Sequence, residues 1–175
     1  MSSIYSLYYK GAFSQSALVF PGDFKNRTTA AENTEAIYEI ASKWRTVTLS
    51  PLREVSSEPL LRGKYEGWTG RTVRLNGFGG ETVAKRRGCM SLGWSFVDFM
   101  SNEFSWHVST WSTSWTLTDA GGRVVAKFTR AGFKLSKMGV LEVMERVDEV
   151  LLALILISCR LVHQSVHESE NNGGS

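Results

Sequence analysis

Two cysteines in 175 residues, Cys89 and Cys159, stand seventy positions apart. A pair so few and so separated does not form the framework of a disulfide-stapled secreted domain, and it points to a reducing compartment. The N-terminal MSSIYSLYYKGAFSQSALVF has no basic residue before Lys10 and no unbroken apolar run of leader length. It also lacks the second-position glycine that myristoylation needs. Lys plus Arg exceed Asp plus Glu by only 20 to 17. That excess is too small to imply nucleic acid, and no nucleic-acid partner is expected.

Catalytic and metal-binding patterns are missing as well. The three histidines, His107, His163 and His167, are scattered. His163 and His167 have the four-residue spacing that can share a metal on a helix, but no third ligand accompanies them except Glu168 or Glu170 in a polar tail. No serine sits in a nucleophile elbow with a histidine and an acid at hand. Asp98 and Glu103 read as surface carboxylates, and the GFGGET stretch fits neither the dinucleotide nor the P-loop spacing. It reads as a turn in the positive-φ region. No enzyme, cofactor or metal is expected.

One long apolar run is present, in DEVLLALILISCRLVHQ. Its uncharged core, Val150 to Cys159, is ten residues and about 15 Å as a helix, roughly half the thickness of a bilayer core. On that length it is not expected to be transmembrane. Apolar residues point in every direction around it, so it must be enclosed by protein. Asp148 and Glu149 at its start suit a helix dipole, as do Arg160 and His163 toward its end. The expectation is a buried helix over about 148–163.

Before it, short strands recur roughly every ten residues: IYSLYYKGAF, IYEIA, WRTVTL, PLLRGKYEGW, RTVRL, TVAKR, SLGWSFVDFM, FSWHV, TSWTLTD, RVVAKFT and GVLEVM. The stretch around Lys25 to Asn33 reads as a loop or a single frayed helical turn. Six Trp, nine Phe and five Tyr provide large side chains for a sheet's inner face. Closing the sheet into a barrel around the greasy helix leaves neither an edge nor an apolar face bare. That solution leaves no lumen for a small apolar ligand.

FSWHVSTWSTSWTLTDAGGRVVAKFTRAGFKLSKMGVLEVMERVDEVLLALILISCRLV resembles the C-terminal half of tubby-like barrel domains. It is most similar to the small fungal members of that superfamily, which includes phospholipid scramblases and plant LURP-one-related proteins. An aromatic strand, an apolar strand ending in Asp-x-Gly, the VVAKF strand and Gly-x-Leu-x-Val before the helix carry the likeness. It covers roughly Leu61 to Val162. The resemblance implies a mainly β, closed barrel of about twelve strands around a central hydrophobic C-terminal helix. One such domain is expected over 1–166, followed by a flexible polar tail over 167–175. The superfamily includes phosphoinositide-binding and membrane-tied members. Neither the tubby headgroup motif nor an acidic calcium loop can be placed on this chain.

Local charge supplies the candidates. Lys85, Arg86 and Arg87 are consecutive, with Lys85 and Arg87 expected on the outer face if the region is strand and Arg86 at the rim or in the following turn beside Gly88. Lys127, Arg130, Lys134 and Lys137 form a second group that the barrel could bring close to the first. Clustered cations hold anionic headgroups at on the order of 1 kcal/mol each; the plainer reading is a solvated exterior. The expected function is a non-enzymatic, soluble, cytoplasmic barrel, peripheral at a membrane through anionic lipid. The alternative is a protein-interaction or structural barrel that uses exposed aromatics such as Trp68, Trp94 or Trp111.

Overall fold

The structure is a computed structural model and describes residues 2–11, 14–53, 58–88, 91–109, 112–132 and 136–172. Cys89, Trp111 and Lys134 lie outside them.

Twelve antiparallel strands follow one another around a closed barrel, and β1 (Ser3–Tyr9) completes the ring against β12 (Lys137–Val143). Alternation produces the wall. In β4 (Thr46–Pro51) Val47 and Leu49 are buried, and in β6 (Thr72–Gly77) Val73 and Leu75 are buried, with their neighbours turned outward. At the turn from β6 into β7 (Gly80–Arg86) Phe78 and Gly79 both have positive φ, at 51° and 74°. This is the turn expected of GFGGET.

The lumen is filled by α2, Glu149–Asn172. Leu154, Ile155, Leu156, Ile157 and Val162 have no exposed surface. Asp148 caps the helix, its Oδ1 accepting from the Leu151 N–H at 2.8 Å. Two indoles reach in from the wall: Trp106 Nε1 donates to Ser158 Oγ and Trp94 Nε1 to Ser165 Oγ, each at 2.9 Å. Ser158 and Ser165 are seven residues apart, so both bonds act on one helix face.

Three expectations are corrected. The helix does not stop near His163: it continues through residues assigned to a flexible tail, held by Ser165, by Val166 (1% exposed) and by Glu170. At 24 residues α2 is long and apolar enough to cross a membrane, so the argument from length fails. Enclosure by the barrel places it instead. Trp94 is buried rather than an exposed aromatic.

The stretch after β2 (Ala17–Pro21) forms a helix, α1 (Arg27–Asn33), which Asn26 caps by accepting from Thr29 N–H. It lies outside the barrel, where Ala30 joins Tyr8 and Phe20 in a small second core.

Candidate functional site

Alternating strand direction sorts the connections into two ends. The upper mouth, where α2 emerges, is formed by the C-terminal ends of the odd-numbered strands and the N-terminal ends of the even-numbered ones. The lower mouth, where α2 enters, is formed by their opposite ends.

At the upper mouth, β3 (Tyr38–Lys43) turns into β4 through Trp44 and Arg45 alone. Both had been expected on a strand, but Arg45 takes φ 49° and makes them a turn. Between β5 (Leu61–Glu66) and β6, Gly67 and Gly70, each at φ 63°, flank Trp68 and Thr69. The tips brace each other. Arg45 Nη2 donates to the carbonyls of Tyr65 and Gly67, and Tyr65 N–H donates to the Arg45 carbonyl at 2.9 Å.

Two tryptophans are thereby held in water: Trp44 is 90% exposed and Trp68 fully exposed. Beside them opens a cleft of about 320 Å³ lined by Trp44, Arg45, Tyr65, Trp68, Arg86 and Glu168. Tyr65 donates to Gln164 Oε1, and burial pushes its phenol up to about 12, so it stays protonated. Lys43 and Arg87 are exposed near the tips, and Arg71 is half-buried there.

The sequence candidates divide. Lys85 is exposed on β7 (Gly80–Arg86), and Arg87 is exposed just beyond its end. Arg86 sits at the rim as expected, its Nε donating to the Ser91 carbonyl at 2.9 Å. Among the described residues of the second group only Lys127 is simply exposed, on the outer face of β11 (Val124–Arg130) opposite Glu142. Arg130 reaches the upper mouth but forms a bidentate pair with Glu170, at 2.7 and 3.0 Å, and lies over the Trp115 ring. That pairing holds the Glu170 carboxyl below its ordinary range. Lys137 is buried, with Nζ bonded to Asp23 and to the Phe24 carbonyl. Three strands separate β7 from β11, so the groups do not merge into one patch.

The strongest feature, the tryptophan pair with Lys43, Arg45 and Arg71, was only partly visible in the sequence. Glycines on both sides of Trp68 do signal an exposed tip, but nothing local marks Trp44 as a turn residue.

Cys159 is a free, fully buried thiol whose ionisation burial pushes far up, which leaves it unreactive. Among the described residues no group of three or more His, Cys, Asp or Glu side chains is arranged to hold an ion.

No family model matches this chain, and no curated protein matches it. Among solved structures, an X-ray structure of a protein from Arabidopsis thaliana is similar in fold. It has 12% sequence identity and a TM-score of 0.58, with 90% of each chain covered. That likeness supports the tubby-like barrel fold and extends to fold alone.

Proposed function

We propose that this protein is a non-enzymatic module that docks on anionic membranes through its upper mouth. The observation that carries the reading is the pair of solvated tryptophans on two braced tips, amid Lys43, Arg45, Arg71, Arg86 and Arg87. An indole left in water at a rigid tip gains by entering the interfacial layer of a bilayer, where its ring is buried and its N–H stays wet. Cations around it add attraction to anionic headgroups, at about 1 kcal/mol for each one near the surface. Bracing matters because the tips lose little freedom on docking.

The test is co-sedimentation with neutral vesicles and with vesicles containing phosphatidylserine or a phosphoinositide, at low and high salt. Wild-type protein is expected on the anionic vesicles and to be released as salt rises. Trp44→Ala/Trp68→Ala and Lys43→Glu/Arg87→Glu are expected to abolish binding while leaving the melting temperature nearly unchanged, because these four side chains are exposed. Wild-type protein that ignores anionic vesicles at low salt overturns the reading.

A further inference from the structure

Among the described residues, the exposed large apolar side chains are not spread over the barrel. Trp44 and Trp68 are at the upper mouth, whereas Ile4, Leu52, Phe78, Met100 and Val124 are at the lower one. The side wall carries none, and the closed ring has no free strand edge to pair with another chain. Apolar association must therefore run along the barrel axis.

The two mouths differ in charge. A groove of about 700 Å³ opens at the lower mouth. Its charged lining is Asp98, Glu103, Asp119, Glu145 and Asp148 against Arg123 alone. The partly exposed Phe99, Val150 and Leu151 and the 80% exposed Met100 give it apolar surface. The upper mouth presents tryptophan among arginine and lysine. Joining two upper mouths sets cation against cation, and joining two lower mouths sets acid against acid. Only the unlike pairing places indoles on apolar surface and arginines beside carboxylates.

We propose that the lower mouth receives the upper mouth of a second copy of this chain, so that copies join head to tail. Such a contact uses two different patches and leaves one of each free at the ends, so it propagates beyond a dimer unless the rotation closes a ring. It occupies the tryptophans that the membrane reading also uses, so self-association and vesicle docking compete.

The experiment is sedimentation velocity over a range of concentrations at low and high salt. The lower-mouth variant is Met100→Lys/Glu103→Lys, and the upper-mouth variant is Trp68→Ala/Arg86→Glu/Arg87→Glu. Wild-type mass is expected to rise with concentration at low salt and to fall as salt is added. Each variant alone is expected to stay monomeric. Mixed in equal amounts they should form a dimer and nothing larger, because each retains the mouth the other lacks; that result also demonstrates that both fold. A wild-type chain monomeric throughout, variants that still self-associate, or a mixture that stays monomeric overturns the proposal. Vesicle binding separates the two readings: the lower-mouth variant should retain it. Self-association without vesicle binding by wild type removes the membrane reading alone.

Discussion

Arg160 and His163 lie three residues apart on α2, both buried near the upper mouth. Arg160 donates to the Gln15 carbonyl at 3.1 Å, yet its Nε, His163 Nδ1 and Trp115 Nε1 are buried without a hydrogen-bond partner among the described residues. His163 is ringed by Tyr9, Trp115 and Phe128. Burial, with Arg160, Arg130 and His167 adding positive charge, holds its imidazole down to about 3. In the unfolded chain the ring titrates at about 6.5. Above that pH both states are neutral and the residue contributes no pH dependence. Between 6.5 and 3 the unfolded state takes up a proton that the folded state refuses, so stability falls as pH falls. The loss is about 1.4 kcal/mol per pH unit, or about 2 kcal/mol at pH 5. Urea melts of wild type and His163→Leu at pH 7 and pH 5 test this. The variant should lose that much less on acidification, and equal losses would show that the ring accepts its proton in the folded state.

At the scale of the element, α2 is the core. Leu154 is fully buried inside the ring, and its truncation to alanine should cost about 2–5 kcal/mol, read as a lowered urea midpoint. Leu154→Asp should leave no cooperative melt, because a lone carboxylate there has no partner. That helix was legible as far as its composition stayed greasy. Its last turns were not, because the residues from His167 onward look like a solvated tail, and the order of the helix end comes from contacts of Ser165 with Trp94 and of Glu170 with Arg130, distant in the chain. The strands were legible by alternation, as in Val47 and Leu49. α1 was not, since its seven residues bury only Ala30. The β3–β4 turn was hidden because Arg45 takes a left-handed conformation usually signalled by glycine or asparagine. At the candidate site the consecutive cations Lys85 to Arg87 could be read from alternation alone. The internal pairing of Lys137 with Asp23 spans more than a hundred positions and could not.

At the scale of the molecule, wall and plug are parts of one folding unit. A chain stopped before Glu149 keeps all twelve strands but loses what their inner faces cover. It is expected to lack a near-ultraviolet circular dichroism signal and to bind ANS, as an unpacked state does. A native-like spectrum from that truncation would mean that the ring closes without its core. Because α2 follows every strand in chain order, the same architecture also sets a sequence of events in time. Synthesis proceeds at about 5–20 residues per second, so the 24 residues of α2 take about 1–5 s to be added. Throughout that interval the strands already made have nothing to close around. Slow decoding of the message for α2 would lengthen the exposure without changing a single residue.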